Sequence, residues 1–154
     1  MSPSQTPHPF TAFNFSIEIN VPGKIPKVCN AAFSDCDGLE MTMEAKTIRE
    51  GGNNARQIRL TGLTSFGQLT LKRGMTDSYD LWDWFSAVQH DPSLRANAEV
   101  VLLAADGRTP IARFVLDRCL PVKLKAPPMN AKEGAVAIEE LQMAYESLTF
   151  NKPG

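Results

Sequence analysis

FSDCDGLEMTMEAKTIREGGNN at residues 33–54 and LTLKRGMTDSYDLWDWF at residues 69–85 decide the fold of this chain. In the first stretch Met41, Met43 and Ala45 alternate with Thr42, Glu44 and Lys46, the period-two pattern of a strand with one wet face. Gly51-Gly52-Asn53-Asn54 then breaks the pattern, because glycine and asparagine tolerate positive φ and favour a sharp bend. At the start of the second stretch Leu69 and Leu71 alternate with Thr70, Lys72 and the preceding Gln68 in another two-faced strand. Leu81, Trp84, Phe85 and Val88 follow at i, i+3, i+4 and i+7, so the pattern switches to a helix with one apolar stripe. Asp80, Asp83, Ala87 and His90 form the opposite stripe, and Trp82 lies on the flank as a core-edge residue or a partner anchor. Thr76 or Asp77 is expected to cap the helix, with Asp77 and Asp80 at the positive end of its dipole.

Outward from this region the pattern stays β. Phe13, Phe15, Ile17 and Ile19 alternate with polar residues and end at Val21-Pro22-Gly23, and a short strand is expected from Val28 to Phe33. Val100 to Leu103 and Ile111 to Leu116 flank Asp106-Gly107, a hairpin signal. Pro121 to Lys125 reads as extended and precedes a loop with Pro127-Pro128. Residues 135–150 fit a helix through Ile138, Leu141, Tyr145 and Leu148, or a strand entered through a bulge at Glu139-Glu140; Val136 and the β context favour the strand. The expected fold class is mainly β: an antiparallel barrel or sandwich with one outer helix. Residues 1–12, with three prolines, are expected to form a flexible arm, residues 13–150 a single β domain, and residues 151–154 a tail.

Length and composition agree with one folded domain: 154 residues, 43% hydrophobic and 21% charged, with a net charge of -1. Charge is nevertheless segregated, net +4 over residues 44–73 and net -4 over residues 75–93. Such blocks are either solvated surface or complementary docking patches. No apolar run is long enough to span a bilayer, and MSPSQTPHPF lacks the apolar core of a signal peptide, so a chain made and folded in the cytosol, without membrane insertion, is expected.

Chemistry is hard to find. Cys29, Cys36 and Cys119 lack zinc-ligand spacing and read as free buried thiols. With only His8 and His90, a nucleophile–base pair is not expected, and Glu139 and Glu140 point to opposite faces of a regular strand. GGNN lacks the lysine and second glycine of a phosphate loop, and the basic segment at 46–59 has no aromatic residue to stack on a base. No cofactor is required, and an enzyme is not the expected reading; a small ligand-binding β-barrel enzyme is the rival from another class. A sheet with one wet face must hide its dry face and manage its edges, and identical copies that extend one another's sheets around a channel do both.

The pieces FSDCDGLEM at 33–41, IREGGNN at 48–54, LTLKRGMTDSYDLWDWF at 69–85, LPVKLKAPPMNA at 120–131 and AVAIEELQMAYESL at 135–148 together resemble the tail tube proteins of contractile phage tails and phage-like injection systems. The resemblance spans about Phe10 to Phe150; it departs where Thr47-Ile48 replaces an aromatic and where Arg59 to Gly62 lacks a proline. It implies a subunit that forms stacked hexameric rings, with itself, a sheath protein, baseplate and terminator proteins and a luminal cargo of DNA or effector protein as partners. A tube-initiating, baseplate-proximal paralogue is the alternative within the family. The resemblance also implies an arm that reaches a neighbouring subunit or ring: Arg49, Glu50, Gly51, Gly52, Asn53, Asn54, Arg56, Arg59 and Phe66. Asp77, Asp80 and Asp83 are expected to face the sheath, and Thr42, Glu44, Lys46, Gln68, Thr70, Lys72 and Gln142 are candidates for the lumen.

Overall fold

The computed structural model describes residues 14–22, 25–31, 33–49, 57–129, 134 and 136–152, with the backbone alone at 25–31, 49 and 57. In chain order the elements are β1 (Asn14–Val21), β2 (Ile25–Ala31), β3 (Asp35–Asp37), β4 (Met41–Arg49), β5 (Gln57–Phe66) and β6 (Gln68–Gly74). The helix α1 (Asp80–His90) follows, then β7 (Ala96–Leu103), β8 (Pro110–Lys125), β9 (Ile138–Ala144) and β10 (Ser147–Asn151). Every pairing between them is antiparallel.

One strand organises the rest. The first part of β8 lies between β7 and β10, in a sheet ordered β2-β1-β7-β8-β10, and its last part pairs with β9 in a sheet ordered β8-β9-β6-β3. Between Leu116 and Cys119 β8 carries one residue more than β7 opposite, a bulge that bends the strand from one sheet into the other. Arg118 sits at this bend with φ 53, in the left-handed region that a non-glycine residue rarely occupies. Its guanidinium bonds Glu146 at 2.7 Å, and the Glu146 N–H donates to the Asp117 carbonyl, so the bend is tied to the β9–β10 turn. The extended segments expected at 111–116 and 121–125 are thus one strand.

Alternation builds the core between the two sheets. Ile17, Ile19 and Val21 from β1, Ala98 and Val100 from β7, and Leu116 from β8 face Leu69 and Leu71 of β6 and Leu141 and Met143 of β9. Leu81 and Trp84 close one side from α1, as the helical spacing predicts, while Phe85 and Val88 are half-buried. Residues 138–151 are two strands and not a helix. The bulge expected at Glu139-Glu140 is absent, since β9 runs in unbroken register with β6; the irregularity lies opposite, between Pro121 and Lys123 of β8.

The helix start also differs from expectation. Neither Thr76 nor Asp77 caps it: the helix begins after Tyr79 with no side-chain cap, and Thr76 instead accepts a bond from Ser78 N–H. Asp80 takes the dipole position, its carboxylate accepting the Leu81 N–H at 2.8 Å.

Strands β4 and β5 form a separate two-stranded sheet, and Met41 to Ile48 are exposed on both faces. The roots of this ribbon are fastened at one point. Tyr145, 5% exposed, donates its hydroxyl hydrogen to the Gly38 carbonyl at 2.7 Å and accepts the Glu40 N–H at 3.1 Å. The Phe66 ring packs against Tyr145 with centroids 5.7 Å apart. Gly38 has φ +109, and a Cβ there would stand 2.0 Å from the Gln68 carbonyl oxygen. Gly38→Ala is therefore expected to lower stability by at least about 2 kcal/mol, read as a drop in the urea midpoint at unchanged slope.

Candidate functional site

Three surfaces carry the residues singled out from the sequence. The first is the outer face of the sheet β8-β9-β6-β3. On β6 the buried residues Leu69, Leu71 and Arg73 alternate with Gln68, Thr70 and Lys72, which turn outward. On β9 the outward positions are Ile138, Glu140, Gln142 and Ala144. Register sets Thr70 opposite Gln142 and Lys72 opposite Glu140, so Gln68, Thr70, Lys72 and Gln142 share one wet face as alternation predicts. Thr42, Glu44 and Lys46 do not share it: they lie on β4, in the separate ribbon. The wet alternation of β4 has another cause, since that strand is wet on both sides.

The second surface is the ribbon. Sequence reading places a glycine-broken arm at 49–66; the structure pairs residues 57–66 with 41–49 as a hairpin, with Thr47 opposite Arg59 and Met41 opposite Phe66. Arg59 is exposed, whereas Phe66 is half-buried at the root against Tyr145. Glu50, Gly51, Gly52, Asn53, Asn54 and Arg56 lie outside the described residues, as does the side chain of Arg49. The ribbon exposes apolar groups as well as charge, with Met41 58%, Met43 57% and Leu63 81% exposed. That content was missed by a reading centred on the arginines.

The third surface is the helix. Asp77 and Asp83 are exposed, but Asp80 is turned inward, its side chain 22% exposed and ion-paired with Arg73. The expected solvent stripe of Asp77, Asp80 and Asp83 is corrected in this respect: the buried Arg73 recruits Asp80. Arg73 is 5% exposed and Glu139 1%, and they meet at 2.6 Å across β6 and β9, where they are register partners. Trp82 completes the cluster, its indole N–H donating to the second Glu139 oxygen at 3.0 Å. The Phe33 ring lies 5.5 Å from the Arg73 guanidinium, a cation–π distance. A signal for this cluster existed: Arg73 keeps phase with Leu69 and Leu71, and Glu139 with Leu141 and Met143.

The thiols show no sign of activation. Burial, with Asp37 adding, pushes Cys36 up to about 11, and burial, with Asp117 adding, pushes Cys119 up to about 12. Both are free. The side chain of Cys29 lies outside the described residues. No helix among the described residues is long and apolar enough to cross a membrane.

The comparisons to known proteins agree with this fold. Residues 11–149 match the family of the T4-like virus tail tube protein gp19. The chain belongs to that tail tube family. This tail tube protein is a structural component of a phage tail or a phage-like injection particle. Its fold is similar to a chain of the anti-feeding prophage baseplate, a 6-fold symmetrised structure, at 26% identity and TM-score 0.79 over 96% of this chain and 98% of that one. A chain in the extended sheath–tube complex of the extracellular contractile injection system PVC gives 16% identity and TM-score 0.78, covering 95% and 93%. The tube-terminating cap of the anti-feeding prophage gives 16% identity and TM-score 0.79, covering 99% and 97%. No curated protein matches the sequence at a significant level.

The buried cluster yields a stability prediction for the tail tube protein. Arg73→Ala strands Glu139 and Asp80 without their cation and is expected to cost about 3–5 kcal/mol in urea unfolding. Arg73→Met combined with Glu139→Leu removes both charges and is expected to cost clearly less than the single change.

Proposed function

We propose that this chain closes into six-membered rings which stack into the hollow inner tube of a contractile tail or injection system. The observation that carries this reading is the four-stranded sheet β8-β9-β6-β3, wet on its outer face and unpaired at both edges among the described residues. Such edges recruit strands, and a closed ring of copies removes them. Its outer face would then line an aqueous bore. Charges of both signs on that face, lysines and acids together, suit a cargo, DNA or protein, that slides without being gripped. Residues 13–150 act in this scheme as one β domain, with 1–12 and 151–154 flanking it. Assembly takes place in the bacterial cytoplasm, catalysis plays no part, and baseplate and terminator proteins close the ends. A baseplate-proximal initiator shares the fold, and no feature of the chain favours it over the tube body.

The ribbon β4–β5 is the arm that reaches the next subunit or ring. Two strands alone are marginal in water, and this pair exposes methionines and leucines that need a partner. Arg59, with Arg49 and Arg56, offers charge for acidic groups across the stack. Each exposed ion pair is worth only about 0.2–1 kcal/mol, so the stiffness of the tube comes from repetition and from the apolar contacts. Replacing residues 50–56 by a two-residue turn, together with Arg59→Glu and Leu63→Ser, is expected to leave rings that do not stack. Negative-stain microscopy checks this, and tubes of ordinary length would remove the arm from its role.

The exposed acids Asp77, just before α1, and Asp83, on its first turn, supply the outer contact with the sheath. A weak electrostatic contact suits a surface from which the sheath must detach when it contracts. Asp77→Lys with Asp83→Lys is expected to abolish sheath co-assembly and leave bare tubes, as judged by co-sedimentation and microscopy. The same change at Asp80 is expected to unfold the helix start instead, because Asp80 belongs to the Arg73 cluster.

A further inference from the structure

The outer face of the sheet β8-β9-β6-β3 carries its charges in rows that cross all four strands. In one row the register runs Asp35, Lys72, Glu140, Lys125, alternating in sign from edge to edge. In the next it runs Asp37, Thr70, Gln142, Lys123, with charge only at the two edges and of opposite sign. Asp35 and Asp37 thus mark the β3 edge, and Lys123 and Lys125 mark the β8 edge. All four are exposed. Among the described residues none of them makes an ion pair within the chain.

Geometry says why they find no partner at home. Three interstrand spacings of about 4.8 Å separate Asp37 from Lys123 along the sheet, roughly 14 Å in all. That exceeds the Debye length of about 8 Å at physiological salt, so the pair is screened within one copy. Beside the edge of a second copy the same two groups would stand about 5 Å apart. Strand direction allows the junction. Three antiparallel steps lead from β8 to β3, so the two edge strands run opposite ways, and copies related by rotation about one axis meet in antiparallel fashion.

Charged edges also occur in proteins that only need to repel stray strands. Repulsion of like copies calls for the same sign on both edges. Here the signs are opposite, which draws identical copies together head to tail. The contact is heterologous, and such a contact closes into a ring when the rotation between neighbouring copies closes, as the ring reading above requires.

We infer that Asp35 and Asp37 on β3 of one copy dock against Lys123 and Lys125 on β8 of the neighbouring copy, and that this charge key selects the two edges that meet when the ring closes. It rests on the ring reading above and names the partner surface within it. The first row would then continue around the whole bore with alternating sign, and the alternation serves as a register mark: a shift by one residue would bring buried positions outward and lose the match.

The test uses charge reversal and mixing. One variant carries Asp35→Lys and Asp37→Lys, so both its edges are basic; the other carries Lys123→Asp and Lys125→Asp, so both are acidic. Ring content is measured by mass photometry and negative-stain microscopy, with circular dichroism to show the fold. Each variant alone is expected to lose rings by about tenfold or more at the wild-type assembly concentration. An equimolar mixture is expected to restore rings in which the variants alternate, so only even-membered rings form. The quadruple swap is expected to close alone. Wild-type ring content from either variant alone overturns the key, and so does a mixture or a quadruple swap that fails to restore what each variant lost. A wild-type protein that stays a lone particle at every concentration overturns the ring reading itself, an outcome distinct from normal rings that ignore the reversals.

Discussion

Strand β8 belongs to two sheets at once, and the rest of the molecule depends on that double membership. Because the chain bends at Arg118, the inner face of β1-β7 is brought over the inner face of β9-β6, and the leucines and isoleucines of both find a dry partner. The same bend leaves residues 120–125 on the border of the second sheet, where β9 flanks them on one side only among the described strands. Without that bend the strands of the two sheets would form one continuous layer with an unburied face. The left-handed backbone at Arg118 is uncommon for a residue with a side chain, and its guanidinium is held by Glu146 across the turn that follows β9.

Beneath the wet sheet lies an ionic cluster that joins its middle strands to the helix. Arg73 on β6 and Glu139 on β9 are register partners that point inward, and Asp80 and Trp82 on α1 close on them from the far side. Buried pairs are weak contributors to net stability, since desolvation offsets much of their attraction, but removing one member is severe. The bonds from Asp80 to Arg73 and from Trp82 to Glu139 tie α1 directly to β6 and β9.

Much of this was legible in the chain. Period-two alternation located β1, β4, β6 and the outward positions of β6 and β9, and the Leu81, Trp84, Phe85, Val88 stripe located the one helix. Asp106-Gly107 marked a turn, and Gly107 has φ 72 there. What alternation does not reveal is whether a wet face is the back of a packed sheet or one side of a ribbon wet on both, so Thr42, Glu44 and Lys46 could not be told from Thr70 and Lys72. Nor does propensity predict a helix start that an arginine seven residues earlier decides: Asp80 left the expected stripe because Arg73 was already buried. A cap of ordinary strength, about 1 kcal/mol, loses to a buried cation in need of a counter-charge.

The ribbon of β4 and β5 has a kinetic consequence. A pair of strands bathed on both sides gains little from its own hydrogen bonds, so in the stacked tube proposed above the contact with a neighbour would supply most of the free energy that holds it still. A subunit that seated wrongly there would gain none of it and dissociate. In the tube proposed above, growth would then be limited by correct seating of the ribbon and not by diffusion alone, because a misplaced subunit buries none of the exposed methionines and leucines of β4 and β5.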